Sequence, residues 1–137
     1  MTSINMQTMR YINLLDRVSR VKTTKCFQYN NTIIFAVPRF MISRAIGPDA
    51  LNVRRIQEQL GKRVKIISEA VGNDDIERFV RDIVAPVSFV SLEVKEGIVE
   101  ITAGSQSKAS LIGRNRRRSI ELGQIISDVF GFGLRIL

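Results

Sequence analysis

The chain has 137 residues, 45% hydrophobic and 25% charged, which suits one ordinary domain or two small ones and excludes wholesale disorder. Its 21 Lys and Arg against 13 Asp and Glu give a net charge of +8, so the leading partner class is nucleic acid, ahead of an anionic membrane surface. It has no histidine, one cysteine and no apolar stretch longer than "IIFAV" or "IVAPVSFV"; these features argue against a metal site, a disulfide and a bilayer span.

Residues 3–18 place Ile4, Met9, Ile12, Leu15 and Val18 on one face at helical spacing, with Ser3 as the N-cap. The N-terminus lacks the basic region and long apolar core of a signal peptide, so a soluble, cytoplasmic protein without a membrane partner is expected. "VKTTKCFQY" and "TIIFAV" flank Asn30-Asn31, a pair that tolerates left-handed angles, and read as a β-hairpin with Cys26 as a buried structural thiol. Pro38 ends the second strand, "FMISRAIG" is a short helix closed by Gly47, and Pro48 suits the first turn of a helix over 48–60. Leu51, Ile56 and Leu60 give that helix an apolar face, and "KRVKIIS" is a strand.

The same order then recurs. "NDDIERFVRDIV" is a helix capped by Asn73 or Asp74, and "VSFVSLEV" and "IVEIT" are strands joined at Glu96-Gly97. "SQSKASLIG" is a short helix ending at Gly113, residues 116–128 are a longer helix with apolar Ile120, Ile125, Ile126 and Val129, and "GLRIL" closes. "AIG" at 45–47 and "LIG" at 111–113 stand 66 residues apart, and at that offset Ile56 meets Leu122 and Leu60 meets Ile126. A duplicated α-β-β-α-α-β module is expected, with an α+β fold and domains at 1–70 and 71–137.

A glycine turn between two helices lets a ligand approach the backbone, and the next helix offers unpaired N–H groups and a positive dipole end. Arg114, Arg116, Arg117 and Arg118 crowd such a helix start, where like charges repel and the dipole prefers anions. A solvated face is the ordinary fate of a charge run, but that local cost points to a polyanionic ligand. Asp74 and Asp75 read as helix-start residues, not as a metal pair. No nucleophile, base and oxyanion donor come together, so neither catalysis nor a cofactor is expected.

"FAVPRFMISRAIGPDALNVRRIQEQLGKRVKIISE" resembles the first KH module of the NusA family of transcription factors. "FVRDIVAPVSFVSLEV" resembles that family's connecting segment, and "LIGRNRRRSIELGQII" its second loop. The short archaeal NusA-type proteins, built of two type II KH modules, are nearest in length. The polymerase-binding and S1 domains of the bacterial relatives are not expected in 137 residues. The resemblance implies two tandem type II KH domains with three-stranded sheets packed on helices. It also implies single-stranded RNA as partner, RNA polymerase as a second one, a monomer, and a role in transcription elongation or termination.

The candidate RNA contacts it implies are Arg44, Ile46, Gly47, Pro48, Asp49, Ala50, Asn52 and Arg55 around the first loop. Around the second they are Lys108, Ile112, Gly113, Arg114, Asn115, Arg116 and Arg117. Both loops depart from the GxxG pattern, with Ala50 and Arg116 where the second glycine belongs. Arg116 either blocks a close approach or supplies a phosphate contact, and Asn52 is either a helix-start hydrogen-bonder or an RNA contact. The competing reading is a protein-interaction module whose degenerate loops no longer grip RNA and whose basic face docks on polymerase or a ribosomal component.

Overall fold

The computed structural model describes residues 5–137 and shows an α+β chain with two three-stranded sheets and, among the described residues, six α-helices. The chain divides into two compact units, one ending at Val71 and the other running from Gly72 to Leu137. Each unit follows the order α-β-β-α-α-β.

In the first unit, α1 (Met6–Ser19) starts after Asn5, whose Oδ1 accepts the Thr8 N–H at 2.8 Å. The cap is therefore Asn5; Ser3 and Ile4, expected at this end, lie outside the described residues. Tyr11, Leu14 and Leu15 form the buried stripe, while Met9, expected on it, is 52% exposed. β1 (Lys25–Tyr29) and β2 (Thr32–Val37) pair antiparallel about Asn30 and Asn31, whose φ values of 52° and 57° supply the twist of a two-residue hairpin. β1 starts later than expected because the Thr23 hydroxyl donates to the Ala36 carbonyl at 2.6 Å and accepts the Lys25 N–H at 3.1 Å. Side-chain bonds there stand in for ladder bonds. α2 (Ile42–Ile46) and α3 (Leu51–Leu60) lead to β3 (Arg63–Ser68), which runs parallel to β2 and forms an open sheet edge. Ile33, Phe35 and Val37 share a core with Leu15, Ala45 and Ile56. Cys26 is buried, and desolvation pushes its thiol up to about 12, the structural role expected of it.

In the second unit, α4 (Ile76–Val84) follows a 3-10 turn over Asn73–Asp75. Asn73 and Asp74 lie in that turn instead of capping the helix, and Arg78 bridges Asp75 and Asp82 along it. β4 (Ser91–Lys95) and β5 (Ile98–Thr102) turn at Glu96 and Gly97, again with positive φ (51° and 76°). α5 (Ser105–Ile112) and α6 (Arg117–Phe130) lead to β6 (Gly133–Ile136), parallel to β5 and at the open edge. Leu111, Leu122, Ile125 and Ile126 are buried, but Ile120, expected among them, is 66% exposed.

The hairpins, loop glycines and starts of α3 and α6 all repeat at an offset of 66 residues. α6 has 14 residues against 10 in α3, and β6 consequently starts 70 residues after β3. Four residues add about one helical turn, so α6 lengthens while its buried face stays in phase.

Candidate nucleic-acid interface

Each short helix ends in a glycine held at positive φ, 81° at Gly47 and 75° at Gly113. A Cβ at Gly47 would stand 2.8 Å from Asn52 Cγ, and one at Gly113 2.9 Å from Arg118 Cγ. Torsion and close approach both demand glycine here. The crowding neighbour serves as a clasp. Asn52 Nδ2 donates to the Arg44 carbonyl at 3.0 Å, and 66 residues on, Arg118 Nη1 donates to the Ser110 carbonyl at 3.2 Å. Two unlike side chains thus tie the longer helix to the end of the shorter one across each loop. Asn52 is a helix-start hydrogen-bonder, and Arg118 is withdrawn from the free arginine run.

The loops themselves are not helical, which corrects the expected helix starts at 48 and 116. Asp49 and Ala50 lie at φ 53° and 58°, Asn115 and Arg116 at 56° and 61°. Two bonds close each turn: Ala50 N–H to Gly47 O at 3.1 Å and Leu51 N–H to Pro48 O in the first, Arg116 N–H to Gly113 O at 3.2 Å and Arg117 N–H to Arg114 O in the second. Pro48 sits in this turn, and α3 begins only at Leu51. Asp and Asn enter the left-handed region with local help, but Ala50 and Arg116 hold it at a cost of about 1 kcal/mol each. Both loops therefore keep the backbone that the missing glycine would favour.

Arg114, Asn115, Arg116 and Arg117 are exposed, and α6 starts with no side-chain cap and no acidic residue in its first turn. Among the described residues, none of these arginines joins an ion pair. Their charge can meet an anion, together with the first-turn N–H groups that follow Arg117, whose own N–H goes to the Arg114 carbonyl. Around the first loop Arg44, Pro48, Asp49 and Arg55 are exposed, with Ile46, Gly47, Ala50 and Asn52 half-buried. Asp49 places a carboxylate among those cations. On α5, Lys108 is half-buried and Leu111 is fully buried core.

Of the candidates, Ile112 and Arg116 are brought together in a groove of about 390 Å³ between α6 and β6. Ile120, Gly123, Leu134 and Ile136 complete its apolar part. Arg135 also lines it, bound to Glu100 at 2.9 Å. Sequence reasoning offered Ile112 for such a groove but not Ile120, which it read only as one of the apolar residues of the long helix. The available signal was the glycine in "ELGQII", in the middle of a helix where glycine costs about 1 kcal/mol against alanine.

Charge is split unevenly between the units. Up to Val71 the chain carries 12 Lys and Arg against 4 Asp and Glu, and from Gly72 onward 9 of each, so the first unit holds the whole +8.

No family model matches the chain. It is 28% identical over 110 residues to a probable transcription termination protein NusA of Halococcus morrhuae, covering 78% of this chain and 77% of that one. The protein of that name from Methanocaldococcus jannaschii is 30% identical over 84 residues, 61% of this chain and 44% of its own length. That of Methanococcus vannielii is 21% identical over 133 residues, 92% of this chain and 75% of its own. Among solved structures, the crystal structure of APE1850 matches with a TM-score of 0.68 at 25% identity, over 98% of this chain and all of that one. These likenesses bear out the resemblance to archaeal NusA-type proteins. No helix among the described residues is long and apolar enough to cross a membrane.

Proposed function

We propose that this chain, similar to archaeal NusA-type proteins, binds single-stranded RNA through two type II KH domains at 1–70 and 71–137 and acts in transcription elongation or termination. The carrying observation is the loop that occurs twice, 66 residues apart: a positive-φ glycine, two left-handed residues and an uncapped helix start. The order α-β-β-α-α-β and the mixed sheet, whose last strand runs parallel to the second, support the type II reading.

In mechanism, Arg114, Arg116 and Arg117 and the N–H groups opening α6 hold phosphates, while the apolar groove beside β6 takes a splayed base. Arg44 and Arg55 do the phosphate work at the first loop, weakened by Asp49. A loop that had lost its grip on RNA would have no reason to keep Ala50 and Arg116 in left-handed strain. That observation favours RNA over docking of the basic face on polymerase.

The test is anisotropy of a labelled single-stranded RNA across a salt series. Affinity is expected to fall steeply with salt. Replacing Arg114, Arg116 and Arg117 together by Glu should weaken binding by more than about tenfold at an equal or higher melting temperature, since each substitution turns an attraction for phosphate into a repulsion while relieving the charge crowded at the start of α6. Unaltered affinity in the triple variant would remove the second loop from the mechanism. Absence of RNA binding, with nuclease-resistant capture of polymerase, would favour the docking reading.

A further inference from the structure

The two units are built alike, but their grooves are not. Gln57 on α3 and Gly123 on α6 occupy corresponding positions, 66 residues apart. In the first unit Gln57 Oε1 reaches the edge strand and accepts the Val64 N–H at 3.0 Å, spanning the space between helix and strand. In the second, Gly133 N–H and Leu137 N–H donate to Gly97 O, in the turn just before β5, and to Ile101 O on β5 (2.9 and 2.8 Å). Strand alternation therefore turns the Leu134 and Ile136 N–H groups toward the open edge. Leu134 is the counterpart of Val64, and position 123 has no side chain to span to it.

Nothing in the packing requires glycine there. A Cβ at Gly123 would meet Leu134 Cβ at 3.8 Å and Cδ2 at 3.9 Å, ordinary contacts, and Gly123 is not among the positive-φ glycines. A mid-helix glycine without a packing or torsional reason gives up stability for something else. What it leaves is the groove of about 390 Å³, with Ile120 uncovered and Arg116 on its lining.

We propose that the two units are unequal readers: the second, held open by Gly123, takes an unpaired base between α6 and the β6 edge, and Gln57 closes the matching groove of the first. This rests on the RNA-binding reading above. The occupant is a nucleobase because its flat face suits the apolar floor, its edge suits the outward strand groups, and its phosphate suits Arg116. The first unit then grips backbone without reading bases.

The experiment compares binding of single-stranded RNA with binding of an abasic sugar-phosphate oligomer of the same length, for the full chain and two variants. Gly123→Gln copies the first unit. It is expected to weaken intact-RNA binding about tenfold, the effect of excluding one base from its stacking platform, and to abolish the preference for intact over abasic oligomer. Its salt slope should stay that of the parent, and its melting temperature should be equal or higher. Gln57→Ala, which uncovers the Val64 N–H, should bind intact RNA at least as tightly as the parent and keep or strengthen the preference for it over the abasic oligomer. If Gln at 123 prevents folding, Gly123→Ala, which the 3.8 Å spacing admits, should raise the melting temperature and weaken intact-RNA binding severalfold. Parental affinity and preference in a folded position-123 variant would overturn the proposal, as would loss of preference in Gln57→Ala. A parent that binds no RNA at all would instead refute the RNA-binding reading itself.

Discussion

Ala50 and Arg116 carry a left-handed backbone without glycine's freedom, at φ 58° and 61°. Restoring glycine should relieve that strain, so Ala50→Gly and Arg116→Gly should each gain about 1 kcal/mol, offset in part by the greater entropy of the unfolded chain. Thermal unfolding would show this as a rise of a few degrees. Arg116→Gly should nonetheless weaken RNA binding, because Arg116 is exposed and lines the groove. Stability and affinity moving in opposite directions is the signature of a strained residue kept for its charge. Cys26 gives a second residue-scale test. Its thiol is pushed from 9.0 up to about 12 by burial, so above pH 9 the unfolded chain releases a proton that the folded chain retains. Stability from this group is complete below pH 9 and is lost as pH rises toward 12, with a slope of at most about 1.4 kcal/mol per pH unit. The stability difference between the parent and Cys26→Ala should shrink over that window in denaturant titrations at stepped pH.

At the scale of elements, helices and hairpins were legible wherever the signal was local. Apolar spacing located α1, α3 and α6, the Asn30-Asn31 and Glu96-Gly97 pairs located both hairpins, and Gly47 and Gly113 located the loops. Element starts were less legible, because a 3-10 turn or two left-handed residues leave the same residue types in view as a first helical turn. That is why Pro48 and Arg116 were expected inside helices that begin three residues and one residue later, and Asn73 or Asp74 as the cap of a helix that begins only at Ile76. The clasps were not legible either: Asn52 and Arg118 share no chemistry, only a carbonyl eight residues back that folding brings within reach. Nor does an apolar residue declare its face, so Ile120 read with the other apolar residues of α6 and its place on the groove stayed hidden. The cap of α1 illustrates what local reading can still recover. Asn5→Ala should cost about 1 kcal/mol by removing the acceptor of the Thr8 N–H, measurable as a lowered denaturant midpoint at unchanged slope.

For the whole molecule, the question is whether RNA would feel a diffuse charge or particular side chains. The first unit holds the entire +8 and the second is neutral, yet the second has the uncapped arginine loop and the open groove. Two double variants separate these contributions. Arg54→Glu with Arg55→Glu, and Arg114→Glu with Arg117→Glu, each lower the net charge of the chain from +8 to +4. Long-range attraction depends on that total and is screened beyond about 10 Å at moderate salt, so by itself it would make the two variants equivalent and erase both effects as salt rises. Phosphates held directly by the second loop change the outcome. The Arg114 and Arg117 pair should then cost more affinity than the Arg54 and Arg55 pair, by an excess that is largest at low salt and narrows as salt rises. It should also flatten the logarithmic salt slope by about 1.4, two single-strand phosphate contacts at about 0.7 each. Equal losses and equal slopes across the salt series would assign RNA attraction to overall charge and leave the second loop without a contact of its own.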